Sequence, residues 1–244
     1  SRGVRRTPLH EHLKARGAVF GEVAGWERAN WFAREGQARE YQYSWKRQNW
    51  FDNQKAEHLA VRNEVGFFDM TSFGKIRVEG RDACTFLNKV CGNEMDVPVG
   101  RIVYTQMLNQ RGGIESDLTV TRLSETAYLA VVPGATLQRD LAWMRRHVGD
   151  AFAVITDMTA AESVLCVMGP KARDVMQAVS PNDFSNEAHP FGTAKEIEIG
   201  MGIARAHRVT YVGELGWELY VSADQTAHVF EALEETGMMK LCGL

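Results

Sequence analysis

The fold turns on one stretch: Ile102-Val103-Tyr104-Thr105-Gln106-Met107-Leu108, then Asn109-Gln110-Arg111-Gly112-Gly113, then Ile114-Glu115-Ser116-Asp117-Leu118-Thr119-Val120-Thr121. Two strand-like runs flank a glycine-containing loop, which is the composition of a β-hairpin. Ala127 to Val132 continues it as a meander. A second hairpin covers Ile197 to Tyr211, Gly213 to Gly216 forms a bend, and Trp217 to Val221 returns as a strand. Lys75 to Glu79 and the residues around Val154 and Leu165 read as further strands.

Single helices are set among these strands. One runs from Asn53 to about Val65, with Asp52 or Asn53 as its cap and Gly66 as its end. Others cover Arg81 to Val90, Leu137 to His147, Lys171 to Ala178 behind the start signal Gly169-Pro170, and Gln225 to Glu235 behind Ser222 or Asp224. Ser180 to Phe191 reads as a loop. Hairpins mixed with single helices, without regular β-α-β alternation, give an α+β class with antiparallel sheets and packed helices. No G-x-G-x-x-G follows a strand, so a dinucleotide-binding domain is not expected within this chain.

Residues 1–52 differ from the rest. They hold Trp26, Trp31, Trp45 and Trp50 of the chain's six tryptophans, and only Pro8 to Arg16 reads as a short helix. So much aromatic area without clear periodicity is expected to follow an extended course against a partner surface.

The 244 residues are 45% hydrophobic and 24% charged, ordinary for a globular protein with a sizeable core. A net charge of -3, with only short basic clusters at Arg2/Arg5/Arg6 and Arg145/Arg146, argues against a nucleic-acid surface. No apolar run approaches the roughly 18 residues of a membrane span, and the polar start lacks a secretory core, so neither membrane nor secretion is expected. Cys84, Cys91, Cys166 and Cys242 lack metal-ligand spacing and read as free thiols, with Cys166 as a small core residue.

Two carboxylates stand out. Alternation along the first hairpin puts Ile114, Leu118 and Val120 on one face and Asp117 with Thr119 on the other, leaving Asp117 facing either solvent or a cavity. In the second, Trp217, Leu219 and Val221 share a face, with Glu218 and Tyr220 opposite. A carboxylate beside aromatics suits a flat heterocycle with N–H donors; the alternative is a surface glutamate of an ordinary hairpin.

Phe68-Asp69-Met70-Thr71-Ser72-Phe73-Gly74-Lys75, Gly112-Gly113-Ile114-Glu115-Ser116-Asp117-Leu118 and Tyr211-Val212-Gly213-Glu214-Leu215-Gly216-Trp217-Glu218 resemble, in order and spacing, motifs of the glycine-cleavage T protein (aminomethyltransferase) family. The stretch Leu13 to Gly21, followed by Gly25-Trp26-Glu27-Arg28, resembles the connector between flavin and folate regions in dimethylglycine and sarcosine dehydrogenases. Residues 1–52 are then the expected connector, and 53–244 an aminomethyltransferase-like folate-binding domain, truncated before its C-terminal end.

The resemblance implies tetrahydrofolate as ligand, with FAD only on a region outside this chain. It implies that Asp117 lies near the reactive folate nitrogens and assists the transfer, that Glu218 hydrogen-bonds the pterin, and that Phe73, Tyr104 and Tyr211 line the folate cavity. Family members often carry two consecutive acids where this chain has Ser116-Asp117. The expected activity is formation of 5,10-methylenetetrahydrofolate from the iminium or formaldehyde released when an N-methyl amino acid is oxidised. The expected partner is the flavin-binding region of the same parent protein, in the cytoplasm or a mitochondrial matrix. A non-catalytic regulatory or protein-interaction module with the same fold is the alternative.

Overall fold

The computed structural model describes residues 2–244. In chain order the elements are α1 (His10–Ala15), β1 (Ala18–Val23), β2 (Trp26–Phe32), α2 (Phe51–Asn63), β3 (Gly66–Asp69), β4 (Gly74–Glu79), α3 (Ala83–Val90), β5 (Ile102–Leu108), β6 (Ile114–Ser124) and β7 (Ala127–Val132). Then follow α4 (Leu137–His147), β8 (Val154–Asp157), β9 (Glu162–Met168), α5 (Ala172–Val179), β10 (Ala194–Ile199), β11 (Gly202–His207), β12 (Gly216–Ser222), α6 (Thr226–Glu235) and β13 (Lys240–Leu241). They form two compact units. The first comprises the chain up to Ser72 with Ser163–Phe191 and Glu196–Leu244, and the second Phe73–Glu162 with Gly192–Lys195.

The first unit is built on a six-stranded sheet, ordered β10-β11-β12-β9-β3-β13, and a separate β1-β2 ribbon. Alternation along β12 sends Trp217, Leu219 and Val221 into a core with Leu165 and Val167 of β9, Val175 and Met176 of α5, and Val229 and Phe230 of α6. Cys166 is fully buried on β9, as its apolar neighbours predict. Strand β12 lies beside β9 in the sheet and starts close against it at Gly216, where an added Cβ would stand 2.6 Å from Met168 Cγ and 2.9 Å from the Val167 carbonyl oxygen. Gly216→Ala is therefore expected to cost about 1–3 kcal/mol of stability through overpacking. A thermal melt of the purified variant is the check, and an unchanged midpoint would show that the strands part without cost.

The ribbon was not legible in the sequence. β1 and β2 pair antiparallel, with Val19 opposite Trp31 and Val23 opposite Trp26, so the turn is Ala24-Gly25. Both turn residues have positive φ, 51° and 86°. Two-residue turns of this hand are normally announced by Asn-Gly or Asp-Gly, and alanine in the first position conceals the signal. Trp26 and Trp31 are buried within their own unit, and Trp50 packs against Tyr41 at 4.9 Å. The expectation that residues 1–52 follow an extended course against a partner surface is thus corrected: the segment folds partly as the β1-β2 ribbon, and of its four tryptophans only Trp45 is fully exposed.

Two further details differ. Helix α2 begins after Trp50 without a side-chain cap, and Asn53, read as a cap, is buried and donates from Nδ2 to the Phe32 carbonyl at 2.7 Å. Gly66 does more than end that helix, because it opens β3, whose buried residues show no alternation between β9 and β13.

The second unit holds a five-stranded sheet, ordered β5-β6-β7-β4-β8, with every neighbouring pair antiparallel. Its core joins Ile76 and Val78 of β4, Leu118 and Val120 of β6, and Tyr128 and Ala130 of β7 to Phe86 and Leu87 of α3 and Leu141 and Met144 of α4. The hairpin loop is organised by Asn109, whose Oδ1 accepts from the N–H groups of Arg111 and Gly113, both at 2.9 Å. One alternation reading is overturned. Ile114 is 68% exposed because the register shifts between Met107 and Leu108, and Ser116 joins Leu118 and Val120 on the buried face instead.

Candidate functional site

In the second unit the register places Gln106 of β5 directly opposite Asp117 of β6, and Tyr104 opposite Thr119. All four therefore share the face away from Leu118 and Val120. Both Asp117 oxygens are engaged: Tyr104 donates its hydroxyl to Oδ2 at 2.8 Å, and Gln106 donates from Nε2 to Oδ1 at 3.0 Å. The bond to the carboxylate raises the pKa of the Tyr104 hydroxyl, so Tyr104 stays a proton donor at neutral pH. Asp117 is exposed, and Tyr104 is 64% exposed beside it. The pair is available to a ligand laid on this face.

Gln106 was not singled out by the sequence reading. The signal was present, since a residue two after Tyr104 on β5 shares its face and the hairpin register carries it to Asp117. Behind this face, Ser116 donates its hydroxyl to Oδ2 of Asp140 on α4 at 2.9 Å, and Thr136 donates to the same oxygen at 2.7 Å. Ser116 and Asp140 are both buried. The position where family members often carry a second acid thus faces a buried carboxylate supplied by α4, on the side opposite Asp117.

In the first unit Glu218 of β12 lies opposite His207 of β11 and is only 8% exposed, so it is not a surface glutamate. Burial raises its carboxyl pKa, and a 2.9 Å hydrogen bond from the Tyr220 hydroxyl to Oε2 opposes that rise. The His207 ring stacks on Tyr220 at 4.1 Å, and its Nε2 accepts from Arg205 Nε at 2.9 Å. Burial, then the Arg205 charge, push His207 well below the ordinary histidine range, so it is neutral. Tyr211 sits in the bend before β12 and is 61% exposed, while Glu214 in the same bend pairs with Arg62 at 2.8 Å.

Of the five residues named from the sequence, the structure joins Tyr104 and Asp117 directly. Phe73, half-buried just before β4, belongs to the same unit, and Tyr211 and Glu218 belong to the other. Within the first unit the desolvated Glu218 carboxylate is a strong acceptor for N–H donors of the kind a pterin edge carries, and within the second the exposed Tyr104 ring offers flat apolar contact beside Asp117.

The family described as GCVT N-terminal domain matches residues 9–244. The chain is 44% identical over 99% of its length to a 4-methylaminobutanoate oxidase (formaldehyde-forming) of Paenarthrobacter nicotinovorans, and 33% identical over 97% to the mitochondrial sarcosine dehydrogenase of Homo sapiens. It spans 30% of the length of each of these relatives. Among solved structures, the glycine cleavage system aminomethyltransferase T from Bartonella henselae superposes with a TM-score of 0.81 at 25% identity, covering 99% of this chain and 60% of that one. The match of the family model over residues 9–244, on an α+β fold whose sheets are antiparallel except where β13 pairs with β3, shows that the chain belongs to the GCVT N-terminal domain family.

Proposed function

We propose that this chain binds tetrahydrofolate and serves the transfer of a one-carbon unit, and that its parent protein oxidises an N-methyl amino acid at a flavin held elsewhere. Tetrahydrofolate supplies the nitrogens on which the carbon is carried, the product being 5,10-methylenetetrahydrofolate. The observation that carries the reading is the Asp117 carboxylate, exposed yet held at both oxygens by Tyr104 and Gln106. A carboxylate fixed in that way keeps one orientation and can accept and return a proton at a defined place. A surface evolved only to bind another protein has no need of it.

In this scheme Asp117 tunes protonation of the folate nitrogens, Tyr104 shares that proton, and Glu218 accepts from the N–H groups of the pterin. Tyr211 and Phe73 supply apolar contact to the ring. Residues 1–52 are the connector toward the flavin region, and Trp45 is the exposed anchor left for it. We place the parent in the cytoplasm, or in the mitochondrial matrix of a eukaryote, and the mitochondrial sarcosine dehydrogenase relative supports the second setting. The 4-methylaminobutanoate oxidase and sarcosine dehydrogenase relatives support an N-methyl amine as the parent's substrate class.

Glu218→Gln tests the ligand. A neutral amide offers a donor where an acceptor is needed, and a hydrogen bond to a charged group is worth about 1.5–3 kcal/mol, so the affinity for a stable reduced folate is expected to fall about 10- to 100-fold. Calorimetric titration reads this directly. A dissociation constant equal to that of the parent assigns Glu218 to structure alone.

A further inference from the structure

Glu218 is the more demanding of the two carboxylates, because a buried charge must be both oriented and kept ionised. Its neighbours divide that task. Tyr220, two residues along the same strand, points to the same face and gives its hydroxyl to Oε2 at 2.9 Å. Tyr220 is buried and its own pKa is driven well above the phenol range, by burial first and by the Glu218 charge next, so it remains a donor. Among the described residues no hydrogen bond reaches the other oxygen, Oε1. The His207 ring, tilted 34° against Tyr220, fixes the phenol in place and is itself tied to Arg205.

We propose that Tyr220 is the positioning residue of Glu218: by holding Oε2 it presents Oε1 to the N–H edge of a bound pterin. The inference rests on the reading of Glu218 as the pterin acceptor. The groups that face this carboxylate are few. On β12 there is Tyr220, on β11 neutral His207 and the Arg205 cation, and on β9 the Cys166 thiol, which burial, then Glu218, then Asp69 keep protonated. Tyr220 is the one that donates to the carboxylate, so its hydroxyl sets both aim and ionisation.

The sign follows. Folate binding uses the ionised carboxylate, so affinity is full above the Glu218 pKa and is lost as pH falls through it. Loss of the Tyr220 hydroxyl removes an interaction that lowers that pKa and moves the acid limb of the affinity profile upward.

The test titrates the protein with 5-formyltetrahydrofolate across pH for the parent, Tyr220→Phe, Glu218→Gln and the double variant, after melting curves confirm folding. Tyr220→Phe is expected to bind about tenfold more weakly at neutral pH, with its acid limb raised by about one pH unit. In the Glu218→Gln background the same change is expected to add nothing. His207→Leu removes the ring that steadies Tyr220 and keeps the hydroxyl, and is expected to lower affinity about threefold in the same direction. A folded Tyr220 or His207 variant with parent-like affinity and acid limb, while Glu218→Gln binds weakly, overturns the inference and leaves the pterin acceptor in place. Parent-like affinity in Glu218→Gln overturns that reading and the inference with it.

Discussion

Asp117→Asn in the proposed flavin-bearing parent is expected to lower folate-dependent product formation about 10²- to 10⁴-fold, the span of a positioned acid or base, while the proposed amine oxidation continues nearly unchanged. The amide keeps the volume and can still accept from Tyr104 through its oxygen, so the β5-β6 face should hold its shape. What it loses is the ability to take up a proton. Two readouts on one sample separate the half-reactions: flavin reduction under anaerobic conditions, and folate-trapped carbon measured against free formaldehyde. Formaldehyde is expected to rise as the folate product falls. A matched loss in both would point to misfolding, and unchanged folate coupling would remove Asp117 from the chemistry.

Much of this face is legible in the sequence. The β5-β6-β7 meander, helix α4 and the alternation that exposes Asp117 all follow from local pattern, because hairpins and amphipathic helices are specified by residues near one another in sequence. The β1-β2 ribbon was missed because its turn uses Ala24 where the usual signal is Asn or Asp. Strand β3 was missed because Phe67 and Phe68 are buried without alternation, and such a short run has no period to detect. Residues 1–52 carry no readable period for a related reason, since Trp26 and Trp31 answer to burial against their own unit.

The candidate carboxylates came from motif resemblance, and their neighbours only from register. Gln106 became visible once β5 was aligned on β6, and the stacking of His207 on Tyr220 once β11 was laid beside β12. Sequence spacing ranks single positions well. It says little about which side chain across a ladder completes the hydrogen bonding of a carboxylate, because a shift of one residue exchanges the two faces.

Ser116 is a position where the choice of face decides the outcome. The family's frequent pair of acids suggests that aspartate at 116 would restore charge beside Asp117, whereas the structure turns residue 116 to the other face, against Asp140. Ser116→Asp would bring two carboxylates together in a buried space, where Asp140 already accepts from Thr136 at 2.7 Å and from Arg139 at 3.2 Å. Both cannot remain ionised there, and a buried uncompensated charge costs about 3–5 kcal/mol. The variant is therefore expected to melt far below the parent at pH 7. Forced proximity raises the carboxylate pKa of the pair above its unfolded value, so the penalty is full above the folded-state pKa and is relieved as pH falls toward the unfolded one. Asp140→Asn placed on top of Ser116→Asp should recover much of the loss, although on its own it weakens the same network, and that non-additivity is the signature of direct contact. Melting curves of the parent, both single variants and the double at pH 5 and pH 7 decide the matter. Additive losses with no pH dependence would mean that residue 116 finds another way out and that Asp140 does not hold the back of this sheet.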